Sequence, residues 1–241
     1  MNSLADHIAV VTGAGSGIGR AIAGALAEQG AFVCLVGRTR KTLEETSSGC
    51  VARRPPAVFP TDLTLDDQIE TLKLCLERQF GQVDVLVHCA GVISKGRLES
   101  QPVEEFDSQY RANVRAPYLL TQALLPMLQI RPGQIVVINS SVGLRASGGV
   151  SQFSATQHAL KAMTDSLREE VNSFGIRIVS IFPGRTATPR QAALYSVEGK
   201  TYQPELLLQP ADIASIVVSA LSLPRTAEVT DINIRPLAKS Y

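Results

Sequence analysis

Short runs of apolar, mostly β-branched residues alternate with helical patterns along the whole of this chain. The runs lie at residues 8–11, 32–36, 57–60, 83–88, 134–139, 176–182 and 229–234. Because they have no polar face, they are typical of strands that helices cover on both sides of a parallel sheet. Helices are predicted in between, at about residues 17–29, 40–47, 65–79, 103–129, 152–173 and 210–222. The alternation therefore predicts an α/β fold with a doubly wound parallel sheet of about seven strands.

No repeat, low-complexity tract or linker interrupts this alternation, so residues 1–241 are expected to form a single domain. The composition is 45% hydrophobic and 19% charged, as in ordinary globular proteins. The net charge of +1 produces no field that would favour nucleic acid or an anionic membrane. The longest apolar stretch, IASIVVSALSL, is too short and too rich in serine to span a bilayer.

The cysteines and the N-terminal residues bear on the cellular compartment. Cys34, Cys50, Cys75 and Cys89 show no CxxC or Cys/His spacing, so no metal site is predicted. The N-terminal sequence MNSLADHIAVVTG lacks the basic region and the long apolar core of a signal peptide. We therefore expect a cytoplasmic protein whose thiols are reduced.

Prolines indicate where helices begin and where one of them is disturbed. Pro102 and Pro210 stand where the first turn of a helix tolerates proline. Pro117 and Pro126 lie inside the long helical stretch 103–129. Since proline removes a backbone hydrogen bond from a helix interior, we expect these two residues to bend or interrupt that helix.

The first predicted strand runs into a glycine-rich segment, TGAGSGIGR, at residues 12–20. Glycine permits a tight turn and lets backbone N–H groups approach a pyrophosphate at the N-terminus of a helix. The spacing Gly13-x-x-x-Gly17-x-Gly19 differs from the GxGxxG fingerprint, and a glycine cluster alone also fits a purely structural turn. Its position between the first strand and the first helix favours a dinucleotide site.

The end of the second strand indicates which dinucleotide binds. An acidic residue about 20 positions after the glycines would bind the ribose 2′-hydroxyl of NAD, whereas an arginine accommodates the 2′-phosphate of NADP. Arg38 occupies this position in LVGRTRK, and no Asp or Glu follows before Glu44. A solvated basic loop is the alternative interpretation. The pattern favours NADP(H).

Together these motifs resemble those of the short-chain dehydrogenase/reductase family over essentially the whole chain. TGAGSGIG resembles the family's TGxxxGxG phosphate loop, TDLT holds an aspartate (Asp62) at its adenine-contacting position, and HCAG stands at its NNAG motif. The segments at 138–143 (INSSVG) and 183–188 (PGRTAT) resemble its strand-end serine motif and its PG motif. The resemblance implies a Rossmann-like fold with helices on both faces of the sheet.

The resemblance also implies which residues bind the cofactor, and it places a substrate lid at about residues 185–209. The cofactor-binding residues would be Gly13, Ser16, Gly17, Ile18, Gly19, Arg38, Asp62, Leu63, Ala90, Gly91, Gln157, Pro183, Gly184, Thr186 and Thr188. Among them, Thr188 would contact the nicotinamide carboxamide. His88 and Cys89 replace both asparagines of NNAG, which weakens the usual hydrogen bonding of this loop.

The family's active site consists of Asn, Ser, Tyr and Lys. Asn113 and Ser140 match the first two. The family's Tyr lies thirteen residues after the Ser and its Lys four residues after the Tyr, and here these positions hold Phe153 and Gln157. The sequence that follows, HALKAMTDSLREEV, resembles the family in the same register. In that pattern Lys161 is expected to be a cation on the helix face rather than a displaced catalytic lysine.

These two replacements would change the chemistry of the site. In the family, the Tyr hydroxyl gives its proton to a carbonyl oxygen as hydride arrives, and the Lys lowers the pKa of that Tyr. Phe153 has no proton to transfer, and Gln157 can hydrogen-bond a ribose but brings no charge. Losing a positioned acid typically costs about 10²–10⁴-fold in rate. The paired change suggests a site adapted for another use, and an engineered chain is the alternative that the sequence leaves open.

Other side chains are candidates for the missing functions. Tyr195 and Tyr202 lie in the predicted lid, where packing is favoured over catalysis, and Ser140 is a poor donor of a whole proton. Three arginines belong to the loops that border the predicted substrate pocket: Arg145, Arg185 and Arg190. They either bind an anionic substrate or are solvated, and solvation is the favoured alternative.

Two functional hypotheses remain. The first is an NADP(H)-binding protein whose repurposed site acts on a small carbonyl-type molecule, with ordinary hydride transfer weak or lost. A variant of it is an NADPH-dependent carbonyl reductase with a proton donor other than Tyr. The second is a catalytically inactive protein that senses the cofactor. The resemblance further implies a homodimer or homotetramer that pairs the two long helices, at about 103–129 and 152–173.

Overall fold

The seven predicted strands form one parallel sheet in the computed structural model, which describes residues 4–238. The strands are β1 (Ile8–Thr12), β2 (Phe32–Gly37), β3 (Ala57–Pro60), β4 (Val85–His88), β5 (Gln134–Ile138), β6 (Arg177–Pro183) and β7 (Asp231–Ile234). Their order in the sheet is β3-β2-β1-β4-β5-β6-β7, and each neighbouring pair is parallel. The predicted doubly wound α/β fold is confirmed.

Eight α-helices lie between these strands in the described residues. They are α1 (Gly17–Glu28), α2 (Arg40–Gly49), α3 (Asp66–Phe80), α4 (Val103–Tyr110), α5 (Ala116–Ile130), α6 (Ser151–Val171), α7 (Pro189–Val197) and α8 (Pro210–Leu221). All the predicted helical stretches contain a helix, and the ends differ by a few residues. The helix α7 is not among the predicted helices, and its segment is predicted only as part of the substrate lid.

Two apolar cores explain why the strands are apolar without interruption. Along β1, Ala9 and Val11 point into a core that includes Ile22 of α1 and Val217 of α8. Between them, Val10 points to the opposite face, into a second core formed mainly with α3, α5 and α6. Since successive strand residues face opposite sides, a strand that helices cover on both sides must be apolar at every position.

The long helical stretch is interrupted at one of its two prolines. A π-helical turn, Arg111–Arg115, separates α4 from α5, and the Ala116 N–H bonds to the Arg111 carbonyl five residues earlier. Pro117 follows directly. Because Pro117 has no N–H to donate, a regular α-helix would lack a hydrogen bond at this position. In contrast, α5 runs through Pro126, which lies on the exposed side of the helix.

The strand order places a crevice above the centre of the sheet. From β1 the chain proceeds outward to β2 and β3 and then returns to β4 on the other side of β1. The loops that follow β1 and β4 therefore diverge, and in open α/β sheets ligands bind in the crevice that such loops leave at the carboxyl ends of the strands. Within residues 4–238, no helix combines the length and the apolar character needed to cross a bilayer.

Candidate cofactor and active site

The glycine-rich loop packs too closely against its surroundings to carry side chains. Gly13 and Gly17 have φ values of +66° and +51°, in the left-handed region that favours glycine. A Cβ atom on Gly13 would lie 2.9 Å from the Ala90 backbone nitrogen, and one on Gly19 would lie 2.3 Å from the Gly13 carbonyl oxygen. The loop thus leaves the N-terminus of α1 open to the crevice, where its free N–H groups and helix dipole favour an anion.

Thr12 joins the glycine loop to the loop after β4, a role that the sequence reasoning did not assign. Its buried hydroxyl donates to the Val87 carbonyl at 3.1 Å and accepts from the backbone nitrogens of Cys89 at 2.9 Å and Ala90 at 3.1 Å. The available signal was its position as the first residue of TGAGSGIG, at the end of β1. These bonds hold the two walls of the crevice in a fixed relation.

The crevice is a continuous cleft of about 550 Å³, a size typical of cofactor sites. It brings together most of the residues that the sequence assigned to the site. Those lining it are Gly13, Ser16, Gly17, Ile18, Gly19, Arg38, Asp62, Leu63, Ala90, Gly91, Asn113, Phe153, Gln157 and Thr188. The remaining four, Ser140, Pro183, Gly184 and Thr186, lie beside the cleft and outside this lining.

Those four residues make contacts that account for their position. The Ser140 hydroxyl caps a short 3₁₀ turn, where it accepts from the Val142 backbone nitrogen at 3.4 Å. Pro183 ends β6, and the Gly184 N–H donates to the Ile234 carbonyl at 2.8 Å. Thr186 is buried, and its hydroxyl donates to the Gly184 carbonyl at 3.1 Å.

Arg38 and Asp62 lie at one end of the cleft. The Asp62 carboxylate accepts from the Thr64 backbone nitrogen at 3.0 Å and from the Thr64 hydroxyl at 2.7 Å. Burial alone would raise the pKa of Asp62, but these two hydrogen bonds and the nearby positive charge of Arg38 lower it below its usual range. Asp62 is the only acidic residue among the described residues that line the cleft, so a phosphate beside Arg38 would meet no second carboxylate there.

Phe153 and Gln157 lie at the other end, one turn apart on α6. The backbone carbonyl of Gln157 accepts from the Asn139 side chain at 3.1 Å, which ties α6 to the end of β5. The Gln157 side chain is only 4% exposed, and its amide has no hydrogen-bond partner within residues 4–238. An amide that lines a cleft and has no partner in the protein can hydrogen-bond a ligand with hydroxyl groups, such as the ribose of a dinucleotide.

The residues present therefore fit a dinucleotide along the whole cleft. The glycine loop offers an anion site, Arg38 lines the cleft with a positive charge, and Gln157 offers an amide without a protein partner at the far end. The sequence comparison agrees with a dinucleotide site, because residues 7–199 match the short chain dehydrogenase family. The chain belongs to the short-chain dehydrogenase family.

Known members of this family resemble the chain over nearly its full length. An uncharacterized oxidoreductase of Staphylococcus aureus (strain USA300) is 34% identical over 238 residues, which are 98% of this chain and 100% of the relative. The solved alcohol dehydrogenase of the archaeon Thermococcus sibiricus, complexed with 5-hydroxy-NADP, has a TM-score of 0.85 and 28% identity and covers 98% of this chain and 99% of its own. A metagenomic short-chain oxidoreductase in complex with NADP has a TM-score of 0.84 and 29% identity, with 98% and 100% covered.

Within this short-chain dehydrogenase, the HCAG loop carries a buried histidine and a half-buried cysteine. The Nε2 atom of His88 lies 2.8 Å from the Thr121 hydroxyl, and burial lowers the pKa of His88 to about 4. Cys89 lines the cleft, and burial raises the pKa of its thiol to about 12 although the charge of Arg190 opposes this. At neutral pH the histidine is therefore uncharged and the cysteine is a protonated thiol with little reactivity.

Most side chains considered as substitutes for the missing Tyr and Lys lie outside the cleft of this short-chain dehydrogenase. Tyr195 is buried and packs edge-on against Tyr202, with ring centroids 5.5 Å apart, and neither ring lines the cleft. Lys161 points to Asp165, with 2.6 Å between Nζ and Oδ2, as expected for a cation on the helix face. Of the three arginines, Arg145 is exposed, Arg185 pairs with Glu198, and Arg190 alone lines the cleft.

Proposed function

We propose that this chain binds NADP(H) in the cleft and acts on a small carbonyl-type molecule, with ordinary hydride transfer weak or lost. Two structurally similar family members carry NADP or 5-hydroxy-NADP, which supports this cofactor. The position of Arg38 in the cleft lining supports NADP(H) over NAD(H), because a guanidinium pairs well with a phosphate. When bound, such a cofactor would supply or accept hydride, while the protein supplies binding, orientation and protons.

The second part of the proposal is that Phe153 and Gln157 occupy the positions of the family's Tyr and Lys. Two observations support this register. The residues lie thirteen and seventeen positions after Ser140, as the family's Tyr and Lys do. Both line the cleft near Asn113, at the end opposite to Arg38 and Asp62.

The observation that carries the proposal is the lack of a proton donor in the cleft. Within the described lining, the titratable side chains are Arg38, Asp62, Cys89 and Arg190. The Cys89 thiol has a pKa of about 12, too far from neutral pH for efficient proton donation. The ring at position 153 fills space without donating, and the amide at position 157 offers hydrogen bonds but no charge. A carbonyl oxygen bound here would find no acid to receive a proton from.

In this scheme the residues of the chain position ligands rather than transfer protons. Gln157 would hydrogen-bond the nicotinamide ribose through its unpaired amide. Asn113 keeps the backbone of Val92 in place at the edge of the cleft. Phe153 contributes an apolar surface that suits the uncharged part of a small molecule. Such a site is compatible with slow reduction or with a step that needs no net redox change, such as an isomerisation.

A second candidate function is a catalytically inactive protein that senses the cofactor. The same neutral lining at positions 153 and 157 favours it, because binding needs no proton donor. The third possibility, a carbonyl reductase with another acid, loses support from Tyr195 and Tyr202. Their rings pack against each other and not into the cleft.

The experiment that tests the proposal compares cofactor binding with turnover. Calorimetry with NADPH should give saturable binding, while absorbance at the NADPH band should fall very slowly across a panel of simple ketones and aldehydes. Rapid NADPH oxidation by the unmodified chain would show that another group supplies the proton. Absence of NADPH binding would refute the cofactor assignment. Binding without any turnover on the panel would favour the sensing function.

We further propose a cytoplasmic homodimer or homotetramer. The outer surface of α4 and α5 exposes four large apolar or aromatic side chains in the single chain: Val103, Phe106, Tyr110 and Tyr118. Since α4 and α5 form the first of the two predicted pairing helices, this surface supports a two-fold contact between copies. Light scattering at micromolar concentration should give a dimer or tetramer mass, and a monomer mass would refute this.

A further inference from the structure

The helix α7 borders the cleft with its first turn and contacts the segment after β4 near both of its ends. Its first turn, with Thr188 as N-cap, contributes Pro189 and Arg190 to the cleft lining. Arg190 Nη2 donates to the Gly91 carbonyl at 2.6 Å. At the other end of the helix, the Glu198 carboxylate accepts from the Lys95 ammonium. Both contacts therefore end on the segment 91–95, which leaves β4 on the far side of the cleft.

Glu198 is the only carboxylate in a cluster of three cations within the described residues. Besides Lys95, it accepts from Arg185 Nη2 at 3.1 Å and lies 3.2 Å from Lys200 Nζ. The Glu198 side chain is 12% exposed and that of Lys95 is 23% exposed, so this is a partly buried network rather than a surface pair. Arg185 is further fixed by its position over the Tyr195 ring, 4.9 Å from the centroid.

Losing Glu198 disturbs the charge balance of this cluster more than losing any one of its three cations. Burial alone would raise the pKa of Glu198, but the hydrogen bonds from Lys95 and Lys200 and the charge of Arg185 lower it to about 2. Removing one cation would leave the carboxylate paired with two others. Removing the carboxylate would leave three cations without the negative charge that each of them now pairs with. One of them, Arg185, already has a buried Nη1 atom without a hydrogen bond. Breaking one side of a buried charge network costs far more than losing an exposed pair.

We propose that Glu198 is a positioning residue that holds α7 closed across the cleft, so that ligands exchange only when its ion pairs break. The closed position of α7 also places Thr188 against Gly17, where a Cβ atom on Gly17 would lie 3.0 Å from the Thr188 Cγ2 atom. Opening α7 would therefore uncover the glycine loop. The identity of the ligand that exchanges rests on the proposed function, whereas the latch itself does not.

The test compares Glu198→Gln with Glu205→Gln, which changes an exposed acid of the same lid segment that forms no ion pair within residues 4–238. Hydrogen exchange of the cofactor-free protein should accelerate about tenfold or more across residues 189–197 in Glu198→Gln and not in Glu205→Gln. The NADPH release rate, followed by stopped-flow fluorescence, should rise by a similar factor in the same variant. Lys95→Met should give a smaller increase, because two cations remain with the carboxylate.

Salt provides an arm of the test that needs no substitution. Between about 0.05 M and 1 M salt, NADPH release from the unmodified chain should accelerate, since partly exposed ion pairs are screened. Because salt also screens the contact between Arg38 and a phosphate, release from Glu198→Gln should accelerate too, but by a clearly smaller factor than release from the unmodified chain. Unchanged exchange at 189–197 in Glu198→Gln, or unchanged NADPH release, would overturn the latch. Faster exchange in a protein that binds no NADPH would preserve the latch and refute the proposed cofactor.

Discussion

Asn113 hydrogen-bonds both backbone groups of Val92. Its Oδ1 accepts from the Val92 nitrogen at 2.8 Å, and its Nδ2 donates to the Val92 carbonyl at 2.9 Å and to the Thr156 hydroxyl at 3.1 Å. The side chain is 2% exposed, so these partners satisfy an otherwise buried amide. One residue of the π-helical turn thereby fixes the loop after β4 and the helix α6, which together form the inner end of the cleft.

Replacing Asn113 by aspartate should destabilise the fold although the shapes are nearly identical. A buried carboxylate would have no N–H to give to Val92 and would place a charge beside its carbonyl. We expect the free energy of unfolding to fall by about 2–3 kcal/mol, the cost of a buried polar group left without its partner. Urea unfolding measures this, and Asn233→Asp on the exposed edge strand β7 is the matched control. Equal stability of both variants would contradict the assigned role.

Arg38 should determine the preference between the two nicotinamide cofactors. We expect NADPH to bind at least about tenfold tighter than NADH, because Arg38 can pair with the 2′-phosphate. Arg38→Ala should remove most of this difference and leave NADH binding nearly unchanged. Arg40→Ala is the control, since Arg40 is an exposed neighbour that pairs with Glu44 and does not line the cleft. Calorimetry on both cofactors decides the matter, and equal affinities in the unmodified chain would exclude the assignment.

Restoring the family's pair should restore carbonyl reduction. The double change Phe153→Tyr with Gln157→Lys should raise NADPH-dependent reduction by about 10² or more, the low end of what a positioned acid supplies. Each change alone should give less, because the hydroxyl and the ammonium act as a unit. The measurement is NADPH absorbance decay with the same carbonyl panel for the four proteins.

The outcome of this restoration separates two explanations. Its control is Lys161→Gln in the double variant, since Lys161 pairs with Asp165 on the same helix and should not contribute. If the double variant binds NADPH but reduces no carbonyl faster than the unmodified chain, the pocket has diverged beyond these two positions. That result would favour the sensing function.

His88 should make the fold sensitive to mild acid. Its pKa of about 4 in the folded chain lies below the ordinary value of 6.5, so the unfolded chain takes up the proton first as pH falls. The contribution of neutral His88 is therefore fully present above about pH 6.5 and is lost as pH falls through about 4, by roughly 3 kcal/mol in all. His88→Asn should flatten the pH dependence of the unfolding free energy in this window. His158→Asn, which changes an exposed histidine, should leave it unaltered.

The helix α7 shows where sequence reasoning stopped short. Local signals for it were present, since Thr188 can cap a helix and Pro189 suits its first position. Only a lid and no helix is nevertheless predicted here. The sequence also does not show which of the two prolines in the long helical stretch interrupts it. Pro117 follows a π-helical turn while Pro126 lies within a continuous helix, because one sits at a buried packing site and the other on the exposed surface.

The sequence by itself determined the layered fold and most of the residues that line the cleft. Strands covered on both faces must be apolar at every position. Position 13 must be glycine, because an added Cβ there would lie 2.9 Å from the Ala90 backbone nitrogen, so both features follow from local residue choice. Tertiary structure decided which side chains act together. Thr12 bonds to Cys89 across 77 positions, and Lys95 meets Glu198 across 103. Such contacts, and the lowered pKa of His88, depend on the folded distances and on burial, which no local pattern encodes.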